Sequence, residues 1–156
     1  MTAPSISDYL KYANLQMAAE ALFGFNAISS GATLKPGDLF HDDIVPAVLE
    51  RGNRHASKFT STEAATFAAD WKVAEHISNT TTGFSGTLFK NRTTDELVLS
   101  FRSTEFIDDA GRDNEATNKL ELENKGFAFG QLDDMDQWYK SLKSSGKINL
   151  LKLLAT

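Results

Sequence analysis

The side chains best suited to chemistry lie where an apolar stretch runs directly into polar residues. Residues 97–101 are almost continuously apolar, and Arg102 and Thr104 follow at once. Open α/β sheets form their ligand crevices at the carboxyl ends of such strands. A threonine there can offer a backbone N–H and a hydroxyl to a developing oxyanion, as acyl transfer requires, and Arg102 can anchor the loop through an ion pair. The alternative is a strand that simply ends in polar residues, which is common.

The three histidines do not indicate a metal site. They are His41, His55 and His76, and no two of them have the short spacing of ligands on one helix. His41 precedes Asp42 and Asp43, and acidic residues are typical of a helix start because they complement the helix dipole. A surface or hydrogen-bonded structural role is the simpler interpretation of each histidine.

The segment GFSGT, residues 83–87, superficially resembles the Gly-x-Ser-x-Gly nucleophile motif. Its second glycine, Gly86, comes one residue too early. It also lies in a predicted strand, whereas a nucleophile elbow requires a turn from a strand into a helix. We therefore expect these glycines to ease a bend or a close backbone approach.

An acidic loop follows the junction and raises the possibility of calcium binding. Its acidic residues are Asp108, Asp109, Asp113 and Glu115. Their spacing does not match the EF-hand, which needs alternating oxygen ligands and a central glycine. A solvated loop is the simpler interpretation, and neither a metal nor another cofactor is expected.

Composition limits the remaining function classes. The chain has 156 residues, 41% of them hydrophobic, which is enough for a domain with a substantial core. A net charge of −5 disfavours nucleic acid and anionic membranes as partners. The absence of cysteine excludes disulfides and thiol nucleophiles. No apolar run approaches the roughly 18 residues of a membrane span, and the N-terminus does not resemble a signal peptide.

Four helices are predicted, at 7–23, 42–50, 60–70 and 130–144. The first has a capping-type start at Ser5 and a plausible stop at Gly24, and the third opens with the capping box Thr60-x-x-Glu63. Pro46 must lie in the first turn of the second helix. Residues 24–41 are predicted to be a long loop. The apolar stripes are Leu10, Ala13, Met17 and Ala21 in the first helix, and Leu132, Met135, Trp138 and Leu142 in the fourth.

Strands are predicted at 71–78, 83–90, 96–103 and 148–156. The polar turn NRTTD joins the second and third into a hairpin, and the third is expected to be a central strand covered on both faces. The last strand follows a helix and should therefore join the sheet in parallel. This order predicts an α/β fold in which a parallel strand ends the sequence without a covering helix.

The segment GFSGTLFKNRTTDELVLSFRSTEF, residues 83–106, resembles the class 3 (fungal-type) lipases, in which a hairpin leads into Phe-Arg-Gly-Thr/Ser. Ser103 stands at the glycine of that motif. Further on, NKGFAFG is similar to the family's His-x-Gly-Phe segment, with Asn124 at the histidine. The segments YANLQMAAEA and SFRSTEFIDDA are closest to a bacterial branch of lipase-like proteins, and the resemblance covers most of residues 8–156.

The resemblance implies a set of roles at the junction. Thr104 falls on the family's oxyanion-hole hydroxyl residue, and Asp113 occupies the place of an aspartate that orients that hydroxyl. Arg102 would anchor the turn. The implied activity is hydrolysis of carboxylic esters, with acylglycerols as substrates, by a Ser-His-Asp mechanism.

The resemblance also implies that the nucleophile lies outside this chain. In the family, the strand equivalent to 148–156 runs directly into Gly-x-Ser-x-Gly, and the sequence ends at Thr156. We therefore expect 1–156 to be the N-terminal part of a single α/β-hydrolase-like domain, inactive alone and prone to self-association through an exposed sheet edge. A non-catalytic binding module on the same scaffold is the alternative.

The bacterial branch also bears on location. Some of its members carry C-terminal calcium-binding repeats and leave the cell without an N-terminal signal. An extracellular location is therefore expected, with the cytoplasm as the alternative, and calcium is implied only for a full-length parent.

Overall fold

The computed structural model describes residues 4–21, 23, 44, 46–52, 58–77, 80–102 and 129–148. Within these ranges the elements are α1 (Ile6–Ala19), α2 (Pro46–Arg51), α3 (Ser61–Asp70), β1 (Trp71–Ile77), β2 (Gly86–Asn91), β3 (Leu97–Phe101) and α4 (Phe129–Ser144). The predicted loop at 24–41 and the predicted strand beyond Ile148 lie outside the described residues. All four predicted helices and the first three predicted strands are present, with shifted ends.

Capping boxes begin α1 and α3, as predicted. Ser5 Oγ accepts the Asp8 N–H at 3.2 Å, and Asp8 Oδ2 accepts the Ser5 N–H at 2.8 Å. Thr60 and Glu63 repeat the exchange at 3.3 and 3.0 Å. Hydrogen bonds from Ser5 lower the pKa of Asp8, and those from Thr60 lower the pKa of Glu63. In α2 the helix begins at Pro46 itself, where the missing N–H costs nothing.

The predicted apolar stripe of α1 is wrong in its first half. Leu10 is 61% exposed and Ala13 is also exposed, whereas Met17 and Ala21 pack on the core. The buried residues of the helix are Leu15, Ala18 and Ala19. Leu15 lies five residues after Leu10, which places it roughly 140° round the helix. Tertiary partners decide the buried face, including an ion pair from Lys11 to Glu96 at 2.9 Å.

The sheet is antiparallel, in the order β1-β2-β3. Trp71 pairs with Asn91 and Ile77 with Gly86, with an irregularity between Val73 and Glu75. Within the described sheet, β2 lies between β1 and β3. The prediction that β3 is a central strand stays a prediction, because the strand expected beyond Ile148 lies outside the described residues. The residues of β3 are mostly half-buried, whereas three consecutive residues of β2, Thr87 to Phe89, are at most 1% exposed.

One face of the sheet packs with the first three helices around a hydrophobic core. Phe89 of β2 lies at its centre, with the Phe67 ring edge-on at 5.7 Å and the Phe23 ring edge-on at 5.8 Å. The helices supply Leu15, Ala18, Ala19, Val48, Leu49, Ala64 and Phe67. The described protein is therefore a mixed helix-and-sheet structure.

The chain divides into two compact units. Helices α1–α3 and the sheet form one, and the second contains residues 80–85 and α4. In the second unit, Thr82 donates to Asp134 Oδ2 at 2.6 Å, and the rings of Phe84 and Trp138 meet at 6.1 Å. The prediction of one domain over 1–156 stays a prediction.

Helix α4 ends where the glycine signal predicts. Gly146 has φ of +72°, its N–H bonds the Lys143 carbonyl, and the Lys147 N–H bonds the Leu142 carbonyl. This is a Schellman cap. The predicted stripe is correct at Met135, which is half-buried, and at the buried Trp138 and Leu142. It is wrong at Leu132, which is 48% exposed.

Candidate functional site

The predicted site begins at the end of β3, where Arg102 is half-buried directly after Phe101. Thr104 and Asp113, the predicted oxyanion-hole residue and its orienting partner, lie outside the described residues. The acidic loop, His41 and His55 lie outside them as well. The structure therefore describes the strand that leads to the predicted site and its first polar residue.

The last turns of α1 hold the end of β3. Gln16 donates its side-chain N–H to the Phe101 carbonyl at 2.7 Å. The same nitrogen lies 3.5 Å from Oε1 of Glu20, whose side chain is buried at the C-terminus of α1. Because Gln16 supplies the Phe101 carbonyl with a side-chain partner, the strand is fixed one residue before Arg102.

A polar row crosses the sheet beside Arg102. His76, Thr87 and Ser100 occupy paired positions on the three strands. Paired residues share one face of a sheet, and this face carries Phe89 and the core. Thr87 is 1% exposed, and its hydroxyl lies 2.9 Å from His76 Nδ1. The Phe23 ring meets the imidazole edge-on at 5.6 Å.

His76 is held neutral by its surroundings. Burial, and after it the positive charge of Arg102, lower the pKa of His76 to about 4, while a hydrogen bond with the Gly86 backbone opposes the change. At neutral pH one imidazole nitrogen is therefore an acceptor and the other a donor. Sequence reasoning missed this row because the pairing of β1 with β2 is needed to bring its members together.

The His76–Thr87 pair has the spacing of a nucleophile and its base, but not the accessibility. A catalytic hydroxyl must reach the substrate, and the Thr87 side chain is enclosed in the core. Ser100 and Ser85 are also buried, at 6% and 2% exposure. We interpret the His76–Thr87 contact as a structural hydrogen bond between β1 and β2.

The GFSGT segment is a turn that leads into a strand, so the strand predicted from residue 83 begins three residues later, at Gly86. Gly83 has φ of +86° and bonds the Thr80 carbonyl at 3.1 Å, and the Phe84 N–H bonds the Thr80 hydroxyl at 3.2 Å. β2 begins at Gly86. Ser85 therefore does not occupy a strand-to-helix elbow.

A groove of about 390 Å³ lies between α1 and α3. Leu10, Phe67 and Trp71 provide apolar lining, and Asn14 and Asp70 are among its polar residues. Small-molecule sites commonly combine an apolar surface with a few polar groups. Sequence reasoning did not find this groove because it treated the apolar face of α1 as core.

Within the described part of the chain, no cluster of three or more His, Asp or Glu side chains is arranged to hold a metal ion. No helix in the same ranges combines the length and apolar character that crossing a membrane requires.

Comparisons of the chain with protein-family models, with curated proteins and with solved structures each find no match. The structure by itself defines the class as a mixed helix-and-sheet protein with a three-stranded antiparallel sheet. The lipase resemblance, and the roles that it implies for Arg102, Thr104 and Asp113, stay predictions.

Proposed function

We propose that this chain is the N-terminal portion of a serine-type carboxylic ester hydrolase and supplies its oxyanion-hole strand. The observation that carries the proposal is the β2–β3 hairpin, whose second strand ends at Phe101 immediately before Arg102-Ser103-Thr104. Gln16 holds the Phe101 carbonyl at 2.7 Å, so the strand end is a fixed point from which a catalytic donor could be positioned. Fixed donors are what oxyanion stabilisation needs, since they cost no reorganisation during the reaction.

In this proposal the roles divide among three residues. Thr104 donates to the oxyanion of the tetrahedral intermediate, and Asp113 orients the Thr104 hydroxyl. Arg102 anchors the loop. A serine outside this chain attacks the ester carbonyl, with a histidine as its base and a carboxylate orienting that histidine. The substrates are acylglycerols or related esters.

The same proposal includes an α/β-hydrolase-like arrangement of the sheet. Residues 148–156 would form a strand parallel to β3, on the side of β3 away from β2, and an α/β-hydrolase-like sheet would follow. We also propose export without an N-terminal signal, and self-association through the sheet edge when the chain is alone.

Substitution of Thr104 tests the proposal in the longest in-frame product of the gene. We expect T104A to lower kcat for a short-chain p-nitrophenyl ester by about 10²–10³-fold, as removal of one oxyanion donor does. T104S keeps the hydroxyl and should retain most of the activity. Equal kcat values for wild type and T104A would contradict the role of Thr104.

A binding module without catalysis is the second candidate, favoured by the groove between α1 and α3 and by the burial of Thr87, Ser85 and Ser100. It requires a self-sufficient fold. A sharp thermal transition with a monomeric sedimentation profile for residues 1–156 would favour this candidate. Broad unfolding with association would favour the incomplete hydrolase.

A further inference from the structure

The turn between β2 and β3 contains a small basic pocket on the unit formed by α1–α3 and the sheet. The pocket measures about 170 Å³ and opens to solvent. Its lining consists of Lys72, Lys90, Asn91, Arg92 and Asp95. Three cations and one carboxylate give it a formal charge of +2, in a chain whose net charge is −5.

The two lysines of the pocket lie opposite each other although their like charges repel. Lys72 of β1 and Lys90 of β2 are directly paired, so their side chains share one face of the sheet. Like charges directly opposite each other are destabilising. Lys90 is compensated by Asp95 at 2.6 Å. Lys72 is half-buried, and its ammonium group makes no ion pair or hydrogen bond with any residue that the structure describes.

The turn that carries the pocket is fixed by hydrogen bonds. The Arg92 N–H donates to the Asp70 carbonyl at 2.8 Å, and Arg92 Nε donates to the Ala68 carbonyl at 3.3 Å, which ties the turn to the C-terminus of α3. Asn91 Oδ1 accepts the N–H groups of Thr93 and Thr94, each at 2.9 Å. The pocket is therefore organised before any ligand arrives.

The backbone conformation of Asp95 also supports a turn that is organised before any ligand binds. Its φ is +60°, a left-handed conformation that most residues avoid and that aspartate and asparagine tolerate. Its N–H bonds the Asn91 carbonyl at 3.2 Å. The turn thus holds one carboxylate beside Lys90, and no carboxylate among the described residues forms an ion pair with Lys72.

We propose that this pocket binds a phosphate-type oxyanion, either free phosphate or the phosphate group of a small soluble molecule. The oxyanion lies between Lys72 and Lys90, with Arg92 adding positive charge, and it supplies the counter-charge that Lys72 lacks. Since a water molecule occupies about 30 Å³ of the liquid, the pocket can hold one tetrahedral oxyanion with several waters. The inference is independent of ester hydrolysis, because the pocket shares no residue with the proposed oxyanion hole.

Titration with inorganic phosphate, followed by the backbone amide NMR signals of Lys72, Lys90 and Arg92, tests the proposal in the full 156-residue chain. Sodium chloride at matched ionic strength is the control for screening. We expect saturable shifts confined to this turn. K72Q should weaken binding by about tenfold or more, since it removes a charged hydrogen-bond donor to the oxyanion.

Two further variants separate a binding site from general electrostatics. K58Q removes the same charge from an exposed lysine outside the pocket and should leave the affinity unchanged. D95N keeps a residue suited to the left-handed conformation and removes the competing carboxylate, so it should tighten phosphate binding severalfold. The proposal is overturned if phosphate causes no saturable shift, or if K72Q and K58Q weaken phosphate binding equally. It is also overturned if the chain binds vesicles that contain phosphatidic acid but does not bind inorganic phosphate.

Discussion

At the scale of single residues, the polar row beside Arg102 is the most informative feature. His76 looks unremarkable in the sequence, yet the fold buries it against Phe23 and Thr87 and places the Arg102 charge nearby. Both effects favour the neutral imidazole. The folded state is therefore sensitive to acid, since protonation of His76 puts a positive charge into a largely buried site beside another cation.

The pH dependence of stability tests whether the fold favours the neutral form of His76. The pKa of His76 is about 4 in the folded chain and about 6.5 when unfolded. Between these values the unfolded state binds more protons, so stability falls as pH falls from 6.5 towards 4. We expect His76 to cost about 2 kcal/mol at pH 5 relative to pH 7.5, measured by urea unfolding.

The matched variant is H76Q, which cannot titrate in this range but can still hydrogen-bond Thr87. Its stability should fall less than that of wild type between the two pH values, whatever its stability at pH 7.5. The same loss of stability in both proteins would show that the fold does not lower the pKa of His76.

At the scale of elements, local signals were the reliable ones. The capping boxes at Ser5 and Thr60, and the glycine stop at Gly146, depend on hydrogen bonds between residues that are close in sequence. The buried face of α1 depends on partners far along the chain. Sequence patterns therefore predicted that this helix exists but misplaced Leu10.

The same reasoning explains what was missed at the candidate sites. The junction at Arg102 was visible because it is contiguous in the sequence. The His76–Thr87 contact and the Lys72–Lys90 pair each require the β1–β2 register. That register includes an irregularity between Val73 and Glu75, which alternation alone does not reveal.

The capping box of α3 yields a prediction about stability. T60A removes the hydroxyl that accepts the Glu63 N–H at 3.3 Å and should lower the free energy of unfolding by about 1 kcal/mol. T62A is the matched control, because Thr62 is exposed within the same helix and alanine has the higher helix propensity. Urea unfolding of both variants should show a loss only for T60A, and an equal loss in both would contradict the capping role.

At the scale of the whole molecule, the described structure combines three helices packed on a hairpin-based sheet with a separate unit around α4. The described hydroxyls nearest to His76 and Arg102 in the sheet, Thr87 and Ser100, are buried in the core. Neither of these two hydroxyls can therefore serve as the nucleophile of the proposed ester hydrolase. The proposal remains that residues 1–156 provide the strand leading to the oxyanion hole and do not provide the attacking serine.

Labelling with a fluorophosphonate, which reacts with activated serines, tests that claim most directly. The probe is applied in parallel to the purified 156-residue chain and to the longest in-frame product of the gene, and the label is counted by intact mass. We expect no label on the 156-residue chain and one label per longer chain, on a serine beyond Thr156. Stoichiometric labelling of the 156-residue chain, or a gene that encodes no labelled longer product, would contradict the proposal.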